Sequence, residues 1–218
     1  MTPSPFPKWR RWLDRIYREQ LHNLLVAQHI FHQFADCTKP HIGQYTAAEL
    51  AEWMRQGYIA FAVTAIRRMV EEPKSNPKWK SLSLVILLRD LARHSSLLTI
   101  ERYRQLFRKS VVARFADRWF ADFTGNQKAT TMPVRRINRD IRELKRVSEP
   151  VQRLANKVIA HTELDRRRLG QLTYQRLDDA IDLLAKTYET YRKLITANCP
   201  PVLLSHYDVT EHFRKIWP

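Results

Sequence analysis

A chain of 218 residues with 44% hydrophobic content can bury a substantial core, which excludes a disordered basic tail. Its 38 Lys+Arg against 22 Asp+Glu leave a formal charge of +16, an excess that favours polyanionic partners through counterion release. Only four glycines occur, too few to signal the tight hairpins of a β-rich fold.

Residues 1–7 carry three prolines and read as an irregular arm. From Lys8 to about Phe34, Trp9, Trp12, Leu13, Ile16, Leu21, Leu24, Leu25 and Phe31 recur mostly at helical steps, with Arg10, Arg11, Arg15 and Arg18 between them. The segment 35–45, with Pro40 and Gly43, reads as a loop. Thr46 to Glu49 fits a capping box, in which hydroxyl and carboxylate satisfy the orphan amides of a helix start. The helix that follows carries an apolar stripe of Leu50, Trp53, Met54, Tyr58, Phe61, Ala65 and Met69 and ends near Glu72, before a polar connector over 73–80. A short apolar helix is expected from Ser83 to His94, with Leu84, Leu87, Leu88 and Leu91 on its buried side. Thr99 caps the next, which is expected to run to about Phe120 with Tyr103, Leu106, Phe107, Val111 and Phe115 as its apolar line. Tyr103 and Phe107 read as core rather than as base-stacking platforms. After a loop over 124–132, Pro133 opens a helix whose apolar line is Ile137, Ile141 and Leu144. Pro150 interrupts or kinks that helix, and Val151, Leu154 and Val158 continue it. A polar turn ends at Gly170, and Thr173 caps a last long helix to Asn198. Residues 202–218 form a tail that can hold one short helix.

The sum is an all-α bundle of about six helices without a strand. Three parts are expected: an N-terminal helix and loop (1–45) packing on the bundle, the main helical domain (46–198), and a C-terminal tail (199–218). Cys37 and Cys199, the only cysteines, form no C-x-x-C pair, which argues against a zinc ribbon and fits a reducing compartment. His22, His29, His32 and His41 lack a carboxylate or cysteine at ligand spacing, so neither metal nor cofactor is expected. The N-terminal residues have no apolar signal region, and the longest apolar run, Leu84–Leu88, is too short to span a bilayer. A cytoplasmic, non-membrane protein is therefore expected.

Residues 151–165, VQRLANKVIAHTELD, carry the chemistry. Arg153, Asn156 and Lys157 precede His161 near a helix end. Lys157 and His161, four apart, can share a face. RNA supplies its own nucleophile, the ribose hydroxyl. A histidine near neutral pKa can move the proton, and a fixed cation can stabilise the phosphorane charge. Equally, His161 can simply cap a helix C-terminus.

Asn156 to Glu163, N-K-V-I-A-H-T-E, resembles the signature of the HEPN superfamily, in particular its AbiU-like abortive-infection branch. Ala65 to Glu71, followed by Lys80-Ser81-Leu82-Ser83-Leu84, resembles a second part of that branch, and the order of elements agrees over roughly 45–197. The resemblance implies a HEPN-like helical bundle, a homodimer, and a metal-independent ribonuclease site of the form R-x(4–6)-H, shared between two copies. His161 then matches the motif histidine, Asn156 the polar residue and Lys157 the lysine. Where the family arginine would stand is Ala155, so the cation falls to Arg153 or Lys157 and RNA binding is better supported than cleavage. In the resembling branch the helix of Arg68 and Glu71 faces the motif helix, which makes these two supporting residues or, alternatively, members of a surface ion-pair ladder.

Residues 133–168 hold eleven Lys/Arg against five Asp/Glu. Arg135, Arg136, Arg139, Arg142, Lys145 and Arg146 are the expected phosphate contacts. RNA is the leading partner. The alternatives are a non-catalytic subunit of a larger complex, and a helical scaffold that recognises an acidic antitoxin.

Overall fold

The computed structural model describes residues 4–41, 45–72, 81–108, 110–154, 173–198 and 207–216, with the backbone alone at 45–47, 154 and 216. Among them are nine α-helical segments and no strand; a single antiparallel bridge joins Thr99 and Thr131.

Helix α1 (Phe6–Ile16) buries Phe6, Trp9, Leu13 and Ile16, spaced three, four and three apart. The next buried residue, Leu21, is five positions on, a step an α-helix cannot keep on one face. A π turn over Tyr17–Leu21 absorbs the extra residue, and α2 (His22–Thr38) resumes with Leu24, Phe31 and Phe34 inward. The loop expected over 35–45 begins later than the sequence suggested. Helix α2 continues to Thr38 and a 3₁₀ turn covers Lys39–His41, because Ala35 to Cys37 contain no breaker and the stop comes from Pro40.

Helix α3 (Tyr45–Val70) is nearly as long as expected but buries a different stripe. Ala51, Tyr58, Ala62, Val63, Ile66 and Met69 face the core, whereas Leu50, Trp53 and Phe61 are exposed, Trp53 by 70%. A helix apolar on most sides does not reveal its inner face by periodicity alone. Ser83 joins α3 to α4 (Leu84–Arg93): its hydroxyl donates to the Glu71 carbonyl (2.6 Å) and accepts from the Ile86 amide (3.0 Å).

The single helix expected from Thr99 to Phe120 is two. Thr99 caps α5 (Ile100–Leu106), which gives way to turns and a 3₁₀ segment before α6 (Ala116–Thr124). Ser110-Val111-Val112 is a poor helix former, and Val111, expected inside, is 93% exposed. The break lets α6 fold back so that Phe120 and Phe123 meet Tyr103 and Trp119 meets Phe107. Gly125 ends α6 in the left-handed region (φ 68°), its amide donating to the Ala121 carbonyl.

Helix α7 (Val134–Leu154) begins directly after Pro133 and runs through Pro150 without interruption. Helix α8 (Tyr174–Thr196) starts at the Thr173 cap and ends at Ala197, and a short α9 (Thr210–Ile216) lies in the tail. Helix α7 packs against α3, α4 and α8, and α1 packs on α4 and α8. One core joins them, with α8 contributing nine buried residues from Leu177 to Ile195. Polar ties fix the helices at its edge: Trp9 Nε1 donates to Asp90 (2.6 Å), Tyr191 to Asp140 (2.8 Å) and Arg192 to Asp14 (2.7 Å). Among the described residues no helix is long and apolar enough to cross a membrane.

Candidate nucleic-acid interface

Helix α7 turns Ile137, Ile141, Leu144, Ser148 and Val151 inward. On the opposite face stand Arg135, Arg139, Arg142 and Arg146, all exposed. Their steps of four, three and four keep them within roughly 60° of one another around the axis, along about 17 Å of helix. None of the four has a carboxylate within ion-pair distance among the described residues. Arg153 extends the row to about 27 Å and pairs with Glu149 one turn back, both side chains more than half exposed. Such an exposed pair contributes little and leaves the guanidinium able to exchange partners.

Two expected phosphate contacts are engaged within the fold. Half-buried Arg136 lies 3.5 Å from Asp140, and Lys145 pairs with Glu72. Burial pushes Glu72 up, but hydrogen bonds from Arg89 (3.0 Å) and Lys145 outweigh it and hold the carboxyl below its ordinary range. The Asp140 carboxyl is pushed up by burial, only partly offset by the Tyr191 hydroxyl.

Between the end of α3 and α7 lies an open cleft of about 450 Å³, where Arg67, Glu71 and Glu72 face Lys145, Arg146 and Gln152. Glu71 is thus beside α7. Arg68 is exposed and is not part of the cleft wall, and the neighbouring Arg67 is. The sequence carries a signal for Arg67, since it stands one turn before Glu71 on the same face. Asn156, Lys157 and His161 lie outside the described residues, as do the connector 73–80 and the turn ending at Gly170.

Three of the four N-terminal histidines have separate partners. His22 meets the Tyr207 hydroxyl (3.1 Å), His29 meets Gln33 (2.7 Å) and His32 meets Asp178 (3.2 Å). Among the described residues no three His, Cys, Asp or Glu side chains gather closely enough to hold a metal ion.

An all-α bundle in which one long helix packs into the core and presents arginines outward is consistent with a HEPN-like domain. The family model HEPN_AbiU2, described as AbiU2, matches residues 8–217, and the chain belongs to that family of abortive-infection HEPN proteins. The match takes in α1, α2 and α9, outside the 45–197 span of the sequence resemblance. No curated protein and no solved structure matches the chain significantly.

Proposed function

We propose that this AbiU2 protein is an RNA-binding effector of abortive infection, and that the outward face of α7 is its phosphate track. The observation that carries the reading is the row of four exposed arginines, Arg135, Arg139, Arg142 and Arg146, with no carboxylate within ion-pair distance among the described residues. A surface helix stabilised by its own charges would interleave acids at i±4, as Arg15 and Glu19 do on α1 and the π turn. Here Glu143 stands one turn after Arg139, yet it forms no ion pair with it, and none of the four guanidinium groups has a carboxylate within ion-pair distance among the described residues. That suits phosphate, whose charge and paired oxygens match the planar fork of a guanidinium.

The finer reading is a metal-independent endoribonuclease. His161 is the acid/base, Arg153 or Lys157 the phosphate cation, and Asn156 a polar positioning group; a two-fold homodimer through residues 151–161 brings two motifs into one cleft. Ala155, at the position of the family arginine, favours the other reading, a non-catalytic RNA-binding subunit. The test is cleavage of single-stranded RNA with EDTA present, comparing the protein with His161→Ala. The nuclease reading expects a cyclic-phosphate product lost in the variant, with RNA affinity kept. No cleavage, or equal activity in the variant, leaves the binding subunit as the account. RNA that fails to bind even at low salt removes both.

A further inference from the structure

A cavity of about 420 Å³ lies between α5, α6 and the end of α8. Its walls are Tyr103, Phe107, Trp119 and Phe123, with Asp122 and Lys193 among the polar groups that line it. Tyr103 packs edge-on against Phe107 and Phe123 (centroids 5.1 and 5.5 Å), and Phe107 lies 5.3 Å from Trp119. Trp119 and Phe123 are only half-buried, so each retains ring surface that the core does not cover.

The polar groups distinguish this cavity from a packing defect. Tyr103 is 97% buried, at 3% exposure, yet its hydroxyl has no hydrogen-bond partner among the described residues. Tyr58 and Tyr174 also have hydroxyls without a partner among the described residues, but theirs are sealed from solvent and that of Tyr103 is not. Tyr103 lines the cavity, and a phenol hydroxyl there without a partner among the described residues is a group a ligand can satisfy. Burial pushes its ionisation upward, so the hydroxyl stays protonated and can donate. Asp122 is exposed and has no cation within ion-pair distance among the described residues. Lys193 pairs with the exposed Glu189 (3.2 Å). Arg108 and Arg114, both exposed, belong to the segment that carries Phe107 and Val112 past the cavity.

We propose that this cavity binds an unstacked nucleobase, its ring against Trp119 and Phe123, its edge on the Tyr103 hydroxyl and the Asp122 carboxylate, with phosphate toward Lys193. Aromatic rings accept the π face of any base, while a carboxylate selects bases that present N–H groups. Guanine, with adjacent N1–H and N2–H donors, suits Asp122 best. The base belongs either to an RNA strand or to a free nucleotide. The RNA source rests on the function proposed above, and the free-nucleotide source does not.

The experiment is calorimetric titration of the full chain with GMP, AMP, CMP and UMP, and with a short guanine-containing RNA. Tyr103→Phe keeps the ring and removes only the hydroxyl, Asp122→Asn removes the charge, and Trp119→Leu removes the stacking wall. Circular dichroism checks that each variant folds. Tyr103→Phe is expected to weaken base binding about five- to tenfold, the loss of one hydrogen bond. Asp122→Asn should erase the preference for guanine. GMP binding that weakens in the variants while their RNA affinity is unchanged assigns the cavity to free nucleotides; GMP binding unchanged in all three folded variants refutes the pocket. Weaker RNA binding in the variants, with no mononucleotide bound, assigns it to the strand. If no mononucleotide binds and folded Tyr103→Phe and Asp122→Asn bind RNA as the parent does, the pocket is refuted while the α7 track stands. GMP binding by a chain that takes no RNA refutes the track and keeps the pocket.

Discussion

Removing three arginines from the outward face of α7 tests the phosphate track without disturbing the fold. Arg139, Arg142 and Arg146 are exposed and have no carboxylate within ion-pair reach among the described residues, so the triple alanine variant breaks no ion pair there. Alanine also keeps helix propensity high, and stability should stay within about 0.5 kcal/mol per site. If Arg135, Arg139, Arg142 and Arg146 each neutralise one phosphate of a single strand, log K falls with log salt at a slope near −3, about −0.7 per contact. Raising salt from roughly 50 to 200 mM then weakens binding about fifty-fold. With Arg135 alone left, the slope falls to about −0.7 and the same change costs only two- to threefold. Fluorescence anisotropy on a labelled single-stranded RNA over a salt series reads both numbers. A matched variant lacking three charges elsewhere (Arg11, Arg18 and Lys186 to alanine) should keep most of the parent slope. Equal slopes in the parent and the α7 variant, or the same loss in the matched control, would refute a localised track.

Other outcomes follow from the described contacts. Ser83→Ala removes the α4 cap and the bond to the Glu71 carbonyl together, and should cost about 2 kcal/mol, read as a fall of several degrees in Tm. Asp90→Asn keeps an acceptor for Trp9 but loses the charge facing Lys8 at 2.7 Å, and should cost about 1–2 kcal/mol at neutral pH by denaturant unfolding. Burial pushes the Asp90 carboxyl up, but hydrogen bonds from Lys8 and Trp9 prevail and hold it below its ordinary range. Its contribution is therefore complete above the unfolded pKa and lost as pH falls through the folded one, so the gap between parent and Asp90→Asn should close below about pH 4. A gap that persists or widens in acid contradicts this assignment. In an RNA-cleaving preparation, the larger loss between Arg153→Ala and Lys157→Ala identifies the functional cation, and equal, negligible losses exclude both.

The helical class and most helix ends are legible in the sequence because their signals are local. Ser83, Thr99 and Thr173 sit as caps, Gly125 closes α6, and Pro40 and Pro133 bound helices from opposite sides. What escapes the sequence depends on tertiary contacts. The five-residue step from Ile16 to Leu21 is visible as an irregularity, but only packing on both sides decides that a π turn absorbs it. The inner face of α3 is hidden because apolar residues line more of that helix than the core covers. The break after Leu106 is masked by an apolar line that includes Val111, although Ser110-Val111-Val112 carries the weak helix propensity that permits it. The arginines of α7 are legible as a basic run. Which remain available is not, because the partner of Lys145, Glu72, is 73 positions away.

Photo-crosslinking the full chain to single-stranded RNA, with the adducts mapped by mass spectrometry, shows whether RNA lies along the outward face of α7. Adducts concentrated in peptides spanning residues 133–153, and lost in the Arg139, Arg142 and Arg146 triple alanine variant, are the expected result. Adducts confined to α2, α9 or the exposed side of α3, with residues 133–153 unmodified, would contradict it.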